Sequence, residues 1–205
     1  MDNYILNYIY LRPTGITQNL RGTYPYFRYT QTDALFVGAD MMAVWDVGKH
    51  IKVTPQVSLL RATDVTHNDV LVFIPSNKYE VAFRFEGPDK FALKRFFVES
   101  KIKYVERQGR APRVITPRQI KEAAEQNINL FAANNDIFDF MEAPDGYALL
   151  NLSAGFSIDR GKARYDIRVA AENILNTSYR EYTNRFRYYA DDMGRNFLVS
   201  LKCSF

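Results

Sequence analysis

The sequence predicts an all-β fold, an antiparallel transmembrane β-barrel wall, and three observations carry that expectation. Apolar and polar residues alternate over several runs of about ten residues, the length a tilted membrane-crossing strand requires. The connections between these runs are alternately short and long, as in outer-membrane barrels. No run of about eighteen apolar residues occurs and the mean hydropathy is −0.30, so transmembrane helices are excluded and strands remain the means of crossing. The 205 residues suit one domain, and a content of 47% hydrophobic and 15% aromatic residues argues against disorder. Cys203 is the single cysteine, so the chain has no internal disulfide and no Cys/His cluster with zinc spacing.

In chain order, the segment around Tyr4 to Leu11 is apolar and aromatic on both faces. Leu35, Val37, Ala39, Met41, Ala43 and Trp45 form one apolar row, and Val53, Val57 and Leu59 face away from Lys52, Thr54, Gln56 and Ser58. Tyr79, Val81, Phe83 and Phe85 alternate with Glu80, Ala82, Arg84 and Glu86; Phe96, Val98, Ile102 and Tyr104 oppose Glu99, Lys101 and Lys103. Ala148, Leu150, Leu152, Ala154, Phe156 and Ile158 alternate with Leu149, Asn151, Ser153, Gly155 and Ser157. Tyr165, Ile167, Val169 and Ala171 face away from the charged set Arg164, Asp166, Arg168 and Glu172. Phe197, Val199, Leu201, Cys203 and Phe205 close the series against Asn196, Leu198, Ser200, Lys202 and Ser204. Successive strand side chains point to opposite faces, so each segment presents one apolar and one mostly wet side.

Short turns are expected at 46–50, 86–90 and 159–162, where Gly, Pro and Asp supply turn geometry. Long connections run over 12–24, 64–77, 108–146 and 174–195. If the last strand starts outside and ends in the periplasm, all four long loops are external. One of them contains a helix signal over 117–126, with Thr116 as N-cap and Pro117 at the first helical position. Arg107, Arg110, Arg113, Arg118 and Lys121 make its surroundings basic, as a solvated loop or as a surface for ligand capture.

Three stretches resemble the TonB-dependent outer-membrane receptors, in particular the iron-complex or siderophore receptor type of Bacteroidetes-like genomes. They are residues 7–11 (Asn-Tyr-Ile-Tyr-Leu), residues 23–34, and above all the block from Glu172 through Asn173, Asn176, Tyr179 and Arg180, continuing to Gly194-Arg195-Asn196 and a terminal Phe205. The resemblance implies a large barrel, 22 strands around a plugged lumen, of which this chain supplies about eight C-terminal strands. It implies that residues 1–205 are the C-terminal segment of such a barrel, with signal peptide, TonB-contacting segment and plug domain absent. Import of a scarce solute, an iron–siderophore complex, across the outer membrane of a Gram-negative bacterium is the activity the family suggests. Its partners would be outer-membrane lipid, the outer-membrane assembly machinery, and the plug and TonB through the full-length receptor.

Within that frame Leu201, Cys203 and Phe205 resemble a C-terminal assembly signal, and the same residues read equally as lipid-facing packing. Trp45, Tyr79, Tyr104, Tyr165 and Phe205 are candidates for the aromatic girdles at the interfaces. Arg84, Glu86, Glu99, Lys101, Lys103, Arg164, Asp166, Arg168, Glu172 and Lys202 would line a hydrated lumen or meet a plug. The external set Arg180, Arg185, Arg187, Tyr188, Tyr189 and Arg195 suits an anionic aromatic chelate, or braces its loop against Asp191 and Asp192. Neither His50 nor His67 has a carboxylate or cysteine arrangement suggesting a nucleophile–base pair or metal site, and Gly155, Gly161 and Gly194 form no phosphate-cradling motif, so no enzyme and no cofactor are expected.

Three other classes compete. A stand-alone small barrel with a structural or adhesive role would close on itself, and a soluble sandwich would pair its apolar faces with each other. Nucleic-acid binding is suggested only by a pI near 9.1, and the basic residues are interleaved with acids instead of gathered into a stripe.

Overall fold

The computed structural model describes residues 1–19, 22–89, 93–128 and 138–205. Eight long strands form one antiparallel meander: β1 (Asp2–Pro13), β2 (Phe27–Met42), β3 (Ile51–Asp64), β4 (Lys78–Glu86), β5 (Leu93–Val105), β6 (Tyr147–Arg160), β7 (Ala163–Glu172) and β8 (Asn196–Ser204). Each pairs with its sequence neighbour, so the sheet order is the chain order and β1 and β8 are its edges. Among the described residues no helix is long and apolar enough to cross a membrane. The α-helix α1 (Pro117–Glu125) has the predicted cap: Thr116 accepts from the Gln119 N–H and the Gln119 side chain returns to the Thr116 N–H.

Register converts the alternation of single strands into two continuous faces. Val199, Val169, Ala154, Val98, Phe85 and Ile51 stand opposite one another across six strands. A second row carries Phe197, Ala171, Leu152, Ser100, Phe83, Val53 and Trp45. Many of these side chains are exposed, Val199 at 79% and Trp45 at 70%. On the reverse face Arg84 donates to Glu86 (2.8 Å) and Glu99 (3.2 Å), Lys52 pairs with Glu86 (2.9 Å), and Lys101 with Glu80 (3.5 Å). Arg84 also lies 4.0 Å above the Phe97 ring.

The turns follow local chemistry. Arg160 pairs with Ala163, leaving a two-residue hairpin in which Gly161 at the first central position has φ +64°, the requirement of a type II′ turn. The row expected to run unbroken to Trp45 is interrupted after Met42, and Trp45–Asp46 re-pairs with β3. Of the expected turn at 86–90, Lys90 lies outside the described residues, as do 20–21 and 129–137 of the long connections.

The long connections depart most from the expectation of external, solvated loops. In the segment after β3, Leu71, Val72 and Ile74 are buried against Tyr10, Ala34 and Ala62, with Tyr8, Phe36 and Leu60 around them. This explains why β1 is apolar on both sides. A bulge at Asn7 (φ 56°) separates Tyr4 from Tyr8 and Tyr10; the latter two face the folded loop, and Tyr4 and Ile9 are exposed. Leu149, assigned by alternation to the wet face of β6, is buried with Val105 and Tyr147 beneath Tyr179.

Gly155 leaves an open slot on the polar face, and the Phe97 ring fills it. A Cβ there would meet the ring at 2.7 Å and the Ile167 carbonyl oxygen at 2.9 Å. Gly155→Ala is therefore expected to lower stability by about 1–3 kcal/mol, the usual cost of overpacking, measurable as a lower urea midpoint of the detergent-refolded chain, whereas an unchanged midpoint would show the slot to be empty.

Candidate functional site: an interlocked loop cap

The last long connection begins where β7 ends. Asn173 takes a left-handed backbone (φ 45°), which Asn tolerates better than most residues. Its side chain is consumed by the turn: Nδ2 donates to the carbonyls of Thr177 (2.9 Å) and Met193 (3.4 Å), and Oδ1 accepts from the Thr177 N–H (2.9 Å). Asn176, also left-handed at φ 55°, accepts from the Arg195 N–H at 3.0 Å and occupies the space a Cβ on Gly194 would need. The two asparagines thus tie the start of the loop to its return into β8.

Between them the loop is held by two aspartates. Asp191 accepts from Ser178 and from Arg180 Nε (2.6 Å), and these bonds keep its carboxyl below the ordinary range. Asp192 accepts from the Glu181 N–H (2.6 Å) and from Asn184 Nδ2 (2.7 Å). Glu181 in turn pairs with Lys78 at the start of β4 (2.9 Å), and Tyr179 packs on Tyr147 with ring centroids 4.4 Å apart.

The hub lies one connection earlier, at Phe138–Phe140. The backbone at Phe138–Asp139 pairs in parallel with Arg113–Val114, and Phe138 bridges to Thr14 from the first loop. Asp139 accepts a charge-assisted bond from the fully buried Arg187 and another from the Tyr188 hydroxyl (2.6 Å). The Arg187 guanidinium also lies 4.8 Å and 4.4 Å from the Tyr182 and Tyr188 ring centroids. Phe140 meets Phe27 (5.3 Å) and Tyr188 (5.6 Å), and Phe73 joins through Phe27 (6.1 Å) and Tyr182 (6.3 Å). Burial, then the neighbouring Asp139, pushes the Tyr182 hydroxyl up to about 12, and burial with the Asp139 bond raises Tyr188 further. Both phenols stay neutral near neutral pH, Tyr188 as the donor to Asp139.

The six candidate binding residues fall into two groups. Arg180, Arg187 and Tyr188 point into the cap: Arg187 has no exposed surface, and Arg180 donates to Asp191 and to the Arg187 carbonyl (2.8 Å). Arg185, Tyr189 and Arg195 are exposed, the first two at the 3-10 turn Arg185–Tyr188 and its end and Arg195 just before β8, with Arg185 lying 5.5 Å over Phe73. The expected carboxylate partners were Asp191 and Asp192; Arg180 takes the first, but Arg187 reaches Asp139 in a different connection. The local signal for that partner was an acid flanked by aromatics, Phe138-Asp139-Phe140. Leu201, Cys203 and Phe205 are all exposed at the β8 end, Phe205 at 99%. His50 Nδ1 sits 2.8 Å from the Glu86 carbonyl, and His67 Nδ1 2.9 Å from the buried Asp64 carboxylate.

Arg187→Ala strands the Asp139 carboxylate inside the cap, an error that costs about 3–5 kcal/mol for a buried pair. Hydrogen exchange across 174–195 and 138–146 should rise together; protection lost in only one segment would show that they are not joined. The Asp191 latch adds a pH dependence. Because its folded-state pKa is depressed, its contribution is present above the ordinary carboxylate pKa and lost as pH falls through the folded value. Exchange around Ser178 and Arg180 should therefore stay slow at pH near 5 and accelerate only in stronger acid, whereas acceleration already at pH near 5 would contradict the latch.

No protein-family model matches this chain, and no curated protein matches it. Among solved structures, the copper transporter OprC is similar with a TM-score of 0.69, over 98% of this chain and 27% of that one, at 14% identity. The likeness is one of fold, and the chain spans about a quarter of the length of that structure.

Proposed function

We propose that the chain is a stretch of the wall of an outer-membrane transporter barrel of the TonB-dependent type, placed in the outer membrane of a Gram-negative bacterium. The observation that carries the reading is the two-faced sheet: an apolar face running from β2 to β8 with many of its side chains exposed, against a reverse face of ion pairs to which the outer connections fold back. An apolar face of that breadth on a water-soluble protein would be an aggregation surface, whereas in a bilayer it meets hydrocarbon. The resemblance of the end of the chain to the TonB-dependent receptors and the fold shared with OprC support the same reading.

In this reading the ion-pair face borders the hydrated interior, and the plug and TonB act through the rest of the receptor. The carried solute is an anionic chelate, an iron–siderophore complex being the class that matches exposed Arg185, Tyr189 and Arg195 on the cap. The role is transport and recognition, not catalysis. Outer-membrane lipid and the outer-membrane assembly machinery are its direct partners, the latter through Leu201, Cys203 and Phe205.

Trp45 is the only tryptophan and lies on the apolar face opposite Val53. In vesicles its emission should be blue-shifted and quenched by lipids brominated on the acyl chains but not by aqueous iodide; the reverse pattern contradicts the membrane reading. Equilibrium dialysis of the refolded chain against ferric catecholate, ferric hydroxamate and copper ions tests the solute. Retention of a ferric chelate, reduced by Arg185→Ala and Arg195→Ala, is expected, and retention of copper alone would replace iron as the cargo.

A further inference from the structure

Arg61 interrupts the apolar face. It stands in β3 opposite Val37, exposed, with Leu59 and Thr63 as its same-face neighbours along the strand. A cation facing lipid costs about 2–4 kcal/mol at the bilayer midplane and about 0–1 near the interface, so its level in the membrane matters. Four residues away on the same face Val57 lies in one row with the stacked Tyr79 and Tyr104. At roughly 3.3 Å per residue that places Arg61 about 13 Å along the tilted strand beyond the tyrosines, toward the loop-bearing end, in the headgroup layer that lies outside an aromatic girdle.

A second guanidinium arrives at the same place. Arg110, from the connection after β5, donates to Thr63 Oγ1 (2.9 Å) and to the Ala62 carbonyl (3.3 Å), and its Nε is buried without a partner. Among the described residues neither Arg61 nor Arg110 has a carboxylate partner. The acids on this part of the face do not compensate them: Asp33 is engaged by the Asn7 N–H (3.0 Å) and the Tyr4 hydroxyl (3.5 Å), and Asp2 stands on the far side of Val37. Two uncompensated guanidiniums at the upper border of an apolar face match a phosphate attached to acyl chains, the phosphate on the arginines and the chains running inward over Leu59, Ala39 and Val57.

We infer that Arg61 and Arg110 bind the phosphate of an anionic lipid in the outer leaflet. The inference rests on the membrane reading above and adds a specific lipid contact to it. The test is native mass spectrometry of the full chain in detergent micelles, offered lipid A, phosphatidylcholine or inorganic phosphate, with bromolipid quenching of Trp45 recorded on the same preparations. Lipid A should be retained in preference to phosphatidylcholine. The double variant Arg61→Gln/Arg110→Gln should lose at least about tenfold in retention, the worth of one charge-assisted hydrogen bond. The Lys/Lys pair should keep most of it, and Arg168→Gln on the opposite face should change nothing. Arg61→Gln alone, at an exposed side chain without a partner, gives the same readout if the double variant does not fold. Equal retention of both lipids, an unaffected Gln variant, or displacement by millimolar inorganic phosphate would overturn the site. Quenched Trp45 with no lipid preference would remove this inference and leave the membrane reading standing, whereas unquenched Trp45 would remove both.

Discussion

A sheet with one predominantly apolar and widely exposed face must find an apolar medium for it, and most of the remaining architecture follows from that requirement. The register places Val199, Val169, Ala154, Val98, Phe85 and Ile51 in one row, so no strand can be turned over without carrying its neighbours with it; a one-residue slip would put charged side chains such as Arg84 and Asp166 on the apolar side. The polar face answers with pairs between neighbouring strands, Arg84 with Glu99 and Lys101 with Glu80, which satisfy charge where water is available. Individually such half-exposed pairs contribute little. Their main consequence is to make the wrong register costly.

The cap solves a different problem at the loop-bearing end. Long connections ordinarily lose order because their backbone groups bond to water, yet here the first and last of them meet the third at Phe138, Asp139 and Phe140, and the second joins through Phe73 on Phe27 and Tyr182. The buried Arg187 needs a carboxylate, Asp139 supplies it, and Tyr188 occupies the second oxygen. Once that pair is buried, the aromatic rings of Phe27, Phe73, Tyr182 and Tyr188 close around it. Exposed residues of the 3-10 turn are thereby presented on a fixed base, which would lower the ordering cost of the solute binding proposed for them.

Much of this was legible in the sequence. Period-two alternation located the strands and their two faces, and Thr116, Pro117 and Gln119 located the helix, because each of those signals is carried by residues close together in the chain. Gly161 marked its hairpin for the same reason. What escaped was set by contacts between distant segments: the burial of Leu71, Val72 and Ile74 beneath β1, the inward turn of Leu149, and the choice of Asp139 over Asp192 by Arg187. The apolar character of β1 on both faces was visible, but its cause lay some sixty residues further along. At the cap, the basic and aromatic content of 180–195 was apparent, while the division into buried braces and exposed candidates depends on a partner in another connection.

The two-faced sheet is tested most directly by walking a nitroxide along β7, residues 164–171, in a Cys203→Ser background reconstituted into vesicles, and measuring its accessibility to oxygen and to a water-soluble nickel complex. A period of two is predicted, with oxygen favoured at 165, 167, 169 and 171 and nickel at 164, 166, 168 and 170. Equal accessibility at successive positions, or nickel favoured on both faces, would contradict a strand that divides lipid from water.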